Sequence, residues 1–214
     1  MENELRAALA GVRDAFGRYP RRPVLDGCPH CEGSVQVDEH DLFTLTISLG
    51  STVGDRADVK ARLPVLLERL LGSDDLDPAI VLGKLAYQEW RTWPRVEQQA
   101  IDAYLDVVWR SLLADHPRRL GSFTDPATFL DAARAAGERV ERFLDVWDAT
   151  LTPSADRHLA EMVSGLNFTR QKPSTVGDWM RREATRDRLH RAWERDYGSP
   201  WADDLARACD LLRL

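Results

Sequence analysis

The chain has 214 residues, 43% of them apolar and 30% charged, with a formal net charge of −6. A chain of that length can bury roughly 70% of the surface its unfolded form exposes, so neither disulfides nor a metal is required for folding, and the composition excludes wholesale disorder. No run approaches the ~18 uninterrupted apolar residues of a membrane span.

The opening residues MENELRAALAGVRDAF mix acids and arginines among apolar side chains, unlike a secretory signal. Three cysteines cannot all pair internally, which fits a reducing, cytoplasmic setting. The charge is unevenly placed. Residues 1–107 hold 12 Lys and Arg against 18 Asp and Glu, a net of −6, whereas residues 108–214 hold 17 of each. An acidic N-terminal half argues against a nucleic-acid surface there and suits a basic protein partner.

Helical periodicity dominates from the start. Leu5, Leu9, Val12, Phe16 and Tyr19 recur every three or four residues and predict a helix over 3–18, ending before Pro20. Residues 43–49, Phe-Thr-Leu-Thr-Ile-Ser-Leu, alternate apolar and hydroxyl side chains at the period of a strand, yet Leu42, Leu45 and Leu49 also share a helix face. Further helices are predicted over 57–71, 78–91, 94–114, 126–150, 153–165, 175–196 and 200–213. Asp77-Pro78, Asp125-Pro126, Thr152-Pro153 and Ser199-Pro200 each place a capping oxygen before a first-turn proline. Trp93-Pro94 lacks a good cap, and Thr92 is the substitute. Ile101, Tyr104, Leu105, Val108, Trp109 and Leu112 form the cleanest stripe, and a second runs Leu130, Ala133, Ala136, Val140, Phe143, Leu144, Trp147.

The one compact chemical motif is Cys28-Pro29-His30-Cys31. Two thiols at this spacing can bind one zinc ion or form a redox disulfide. Cys28 and Cys31 are therefore the candidate metal ligands, with His30, His40 and Cys209 as the other soft donors. The same tetrapeptide serves periplasmic disulfide oxidoreductases of the thioredoxin superfamily, but there it opens a helix directly after a sheet strand. The simplest alternative is packing, since free cysteine is among the most buried residue types.

Glu183, Asp187, His190 and Glu194 form a second candidate, lying on one helical stripe at i, i+4, i+7 and i+11. The six arginines interleaved with them predict a solvated, ion-paired surface instead. Residues 165–197 hold eight basic and five acidic residues with Trp179 and Trp193 among them, and the acids oppose nucleic-acid binding.

No catalytic residue is identified. Gly50-Ser51-Thr52-Val53-Gly54 has its serine directly after the first glycine, so it is not a nucleophile elbow. Phosphate-binding and dinucleotide-binding glycine motifs are missing, and the histidines are widely scattered. Trp109 and Trp147 read as core. Trp90 and Trp93 read as a partly exposed aromatic pair, and Trp201 as a staple for the last helix.

Across residues 19–116 the chain resembles an uncharacterised family of bacterial proteins to which no activity is assigned. The resemblance rests on Tyr19-Pro20, Gly27-Cys28-Pro29 with Cys31, Gly54-Asp55, Leu63-Pro64 with Leu66-Leu67-Glu68, Val81-Leu82-Gly83-Lys84-Leu85, Trp90, Trp93-Pro94, Glu97 and Trp109. It implies an all-helical fold and a helix rather than a strand over 38–50. Family members often carry a third cysteine where this chain has His30.

The resulting expectation is an all-α chain of about eight helices, stacked as hairpins in the manner of a short solenoid around one core. It is a single domain over 1–214, with a sub-structure boundary near 115–125. The expected function is non-catalytic recognition of a protein partner, of antitoxin or immunity type, without a cofactor. The alternative is metal- or thiol-dependent chemistry at Cys28 and Cys31.

Overall fold

The computed structural model describes residues 2–27, 33–37, 42–165 and 174–213. The described chain is mostly helical. It contains eleven α-helices, not eight, together with one small antiparallel hairpin that corrects the purely helical expectation.

The chain divides into two compact units. The first comprises Met1–Val108, Arg119–Thr124 and Thr128–Glu138; the second comprises Trp109–Arg118, Asp125–Ala127 and Arg139–Leu214.

In the first unit, α1 (Glu2–Phe16) buries Val12 and Phe16 against α3 (Arg56–Gly72). Strands β1 (Val24–Asp26) and β2 (Ser34–Gln36) pair with Leu25 opposite Val35. Gly27 and Gly33 close the hairpin through an N···O bond of 3.2 Å. The hairpin is tied to the loop before α3, because Gly54 N donates to Asp26 O at 2.7 Å.

The ambiguous segment is helical. Within α2 (Leu42–Ser48), Thr46 Oγ1 donates to Leu42 O at 2.7 Å, and Ser48 Oγ lies 3.3 Å from Leu45 O. Hydroxyls that turn back onto the preceding helical turn need no strand neighbour. Leu45 and Leu49, four apart, then share the buried face.

Helix α3 opens on a capping box. Asp55 Oδ1 accepts from Ala57 N and Asp58 N, and Asp58 Oδ2 accepts from Asp55 N. Helix α4 (Pro78–Tyr87) begins as expected, with Asp77 Oδ1 accepting from Ala79 N at 2.7 Å. It stops four residues early because Glu89 adopts left-handed backbone (φ 53°). One 3-10 turn, Trp90–Thr92, follows before α5 (Arg95–Ala114). Thr92 caps nothing here; its hydroxyl donates to Glu89 O.

The predicted 126–150 helix is two helices, α6 (Pro126–Ala135) and α7 (Glu141–Ala149). Gly137 (φ +80°) ends α6 in a left-handed cap, with Gly137 N bonded to Arg134 O and Glu138 N to Ala133 O. This is the paired C-terminal motif that glycine makes at little steric cost. All seven residues of the stripe are nevertheless buried.

The second unit continues with α8 (Pro153–Ser164), capped by Thr152, then α9 (Thr175–Met180), α10 (Glu183–Arg195) and α11 (Ala202–Leu211). The predicted 175–196 helix breaks at Arg182, whose backbone is extended (ψ 148°). Ser199 does not cap α11, which starts after Trp201. Helices α8, α10 and α11 pack on one another. Trp147 anchors this unit: its ring lies 5.4 Å from Trp109 and 5.2 Å from Trp179, and its Nε1 donates to Ala155 O at 3.0 Å. Among the described residues, no helix is long and apolar enough to cross a membrane.

Candidate functional site

In the first unit, residues from separate stretches of the chain converge. Tyr19, Trp93 and Glu97 gather around the buried Lys60 of α3. Lys60 Nζ lies 2.7 Å from Glu97 Oε2 and 4.4 Å from the Trp93 ring centre, and donates to Tyr19 Oη at 3.2 Å. Tyr19 Oη in turn donates to Glu97 Oε1 at 2.7 Å, and Arg18 reaches the same oxygen. Burial alone would raise the Glu97 carboxyl, but hydrogen bonds from Lys60, Tyr19 and Arg18 outweigh it and hold the pKa below its ordinary value.

Two residues before Lys60 on α3, Asp58 is treated the same way. Burial pushes its carboxyl up; Arg22, the Asp55 N–H and the Arg62 charge pull it further down. Arg22 donates to both Asp58 oxygens, and Arg62 donates to Arg22 O at 2.5 Å.

A general acid or base needs a pKa near working pH. These carboxylates are held firmly ionised, so the arrangement fastens residues 18–22 to α3 and α5. Its chemistry is that of a clasp.

A second polar arrangement positions α2. From α4, Lys84 Nζ donates to Ile47 O and Gln88 Nε2 to Gly50 O, both at 2.8 Å. The ammonium meets the C-terminal end of α2, where the helix dipole favours a cation. Burial lowers the Lys84 pKa. Held in this way, α2 turns Phe43 and Ile47 outward, 44% and 51% exposed. Residues 42–54 contain no charged side chain. Tyr87 at the end of α4 and Val24 on β1 are also exposed.

The second unit brings together three residues that sequence reasoning passed over: His116, His158 and Glu161. One ligand atom from each lies within 4.8 Å of the other two. The legible signal was His158 and Glu161 at i, i+3 on a single helix face; the 42-residue separation of His116 from His158 hid the rest.

Other sequence candidates fall out differently. Cys28 and Cys31, with His30 and His40, lie outside the described residues. Cys209 is a free, half-buried thiol on α11, and burial raises its pKa. Glu183, Asp187, His190 and Glu194 lie on the exposed face of α10, with His190 Nδ1 3.7 Å from Glu194. The interleaved arginines do not all join that surface, because Arg188 is buried. Trp90 and Trp93 are 1% and 4% exposed, which corrects the partly exposed pair. Their indole N–H groups bind Ala136 O and Gln88 O. Trp109 and Trp147 are core residues, as expected.

No protein-family model, curated protein or solved structure matches the chain.

Proposed function

We propose that the protein is a non-catalytic binding protein that recognises a basic protein partner through the helical surface of its first unit. The observation that carries this reading is the outward pair Phe43 and Ile47 on α2, an uncharged helix whose orientation is set by Lys84 and Gln88. Large apolar side chains turned to solvent on one short element suit a contact core. The acidic balance of residues 1–107 would steer a basic partner towards it. Stacked helical hairpins would broaden such a surface. In concrete form, this is an antitoxin- or immunity-type protein that masks a basic toxin.

The test is affinity purification of the full chain from its host, followed by the same experiment with Phe43→Glu and Ile47→Glu together. The expected result is a basic partner held by the parent and bound at least tenfold more weakly by the double variant, with unchanged circular dichroism. A partner retained equally by both chains, or no partner at all, rejects the reading.

A second reading, metal or thiol chemistry at Cys28 and Cys31, draws on the β1–β2 hairpin. That hairpin holds Gly27 and Gly33 together across the connection carrying both cysteines. Zinc that leaves with Cys28→Ser would favour it.

A further inference from the structure

We infer that His116, His158 and Glu161 form a binding site for one divalent first-row transition-metal ion, of which Zn²⁺ is the simplest representative. The site lies wholly within the second unit and owes nothing to the protein-binding reading. His116 follows the end of α5, while His158 and Glu161 stand one turn apart on α8.

The first support is the donor set. Two imidazoles and a carboxylate suit zinc and its first-row neighbours, and three protein ligands leave a position for water. Ligands about 2.1 Å from a tetrahedral ion sit about 3.4 Å apart. The three ligand atoms lie within 4.8 Å of one another, and the His116–Glu161 pair, at 2.9 Å, is already inside that spacing.

The second support is unanswered hydrogen-bonding capacity. Nδ1 and Nε2 of His116 and Nδ1 of His158 are buried nitrogens without a hydrogen-bond partner. A buried polar atom left in that state costs about 1–3 kcal/mol. Nε2 of His116 lies 2.9 Å from Glu161 Oε1, within ion-pair range but without hydrogen-bond alignment.

The third support is the orientation of His158, which is 3% exposed. Its Nε2 lies 2.8 Å from Asp115 O. A carbonyl can only accept, so that nitrogen carries the proton and Nδ1 keeps its lone pair. Metal-ligating histidines are fixed in this manner, with the far nitrogen donating to a backbone carbonyl. The two rings meet edge to face with centres 4.5 Å apart. The nearby Arg157 cation is engaged elsewhere, over the Trp201 ring at 4.5 Å and towards His116 O.

The experiment uses the full chain carrying Cys28→Ser and Cys31→Ser, so that those thiols cannot contribute. Co²⁺ is titrated and its ligand-field absorption read; Zn²⁺ is then titrated against ¹⁵N-detected histidine resonances. One equivalent of Co²⁺ is expected, with bands of a four- or five-coordinate ion, displaced by Zn²⁺. Glu161→Gln and His116→Gln, each with unchanged circular dichroism, are expected to weaken binding at least tenfold. Zn²⁺ is expected to move the His158 Nδ1 resonance while Nε2–H persists. Binding below a tenth of an equivalent, variants within twofold of the parent, or an unmoved His158 resonance would each overturn the site.

Discussion

Arg188 Nε donates to Asp156 Oδ1 at 2.6 Å, and both side chains are buried between α8 and α10. The same guanidinium donates to Trp147 O and Thr150 O, closing the end of α7. Each of its three nitrogens therefore donates once, to one carboxylate and two helix-end carbonyls. Removing one member of a buried pair strands the other, at a cost of about 3–5 kcal/mol. Asp156→Asn should lower the unfolding free energy by that amount in urea. Arg195→Ala, which removes the more exposed second partner of Asp156, should cost about 1 kcal/mol or less. Equal losses in the two variants would contradict this division.

Trp147 offers a second test. Its indole N–H satisfies Ala155 O inside a fully buried aromatic group. Trp147→Phe keeps most of the apolar volume but loses the indole hydrogen bond, at about 0.5–1.5 kcal/mol. Trp147→Ala adds a cavity and should cost about 3–5 kcal/mol. Thermal and urea unfolding should rank the two in that order.

Acid sensitivity follows from the clasp in the first unit. Glu97 and Asp58 have folded pKa values below their ordinary 4.5 and 3.8. A depressed folded pKa means that the unfolded chain binds protons more readily, so their stabilisation is present above those ordinary values and is lost as pH falls through the folded ones. The contribution of these two carboxylates to the unfolding free energy should hold steady from pH 7 to 5 and decline below about pH 4.5. Glu97→Gln should be less stable at pH 7 and show a shallower decline. A parallel offset at every pH would argue against the ionised clasp.

Two glycines in the first unit should respond oppositely to alanine. A Cβ on Gly121 (φ +54°) would meet Leu70 O at 2.4 Å and Ser73 O at 2.8 Å, both backbone atoms that cannot step aside. Gly121→Ala should cost more than about 1 kcal/mol, since alanine at positive φ is strained even without a clash. On α4, a Cβ at Gly83 would meet nothing nearer than Ala135 Cβ at 3.9 Å, an ordinary contact. Gly83→Ala should stabilise by about 0.5–1 kcal/mol through helix propensity. Melting temperatures of the two variants check both signs.

Periodicity and punctuation made the helices legible. The stripe from Ile101 to Leu112 is fully buried, and Asp77 and Thr152 cap the helices that their prolines open. Gly137 was a readable stop signal inside the 126–150 pattern, overridden because the apolar residues keep their spacing on both sides of it. For 43–49, local alternation pointed to a strand, and the resemblance pointed correctly to a helix. The hydroxyls that create the alternation are spent on backbone carbonyls within α2.

The chain by itself determined where apolar faces arise and where helices begin, because both depend on neighbours within a few residues. Tertiary structure alone decided which charges were taken inside and which polar groups met. Lys60 with Glu97, Arg188 with Asp156 and His116 with His158 are each separated by more than thirty residues in sequence. Pairings of that kind depend on how helices pack, and no local spacing encodes them.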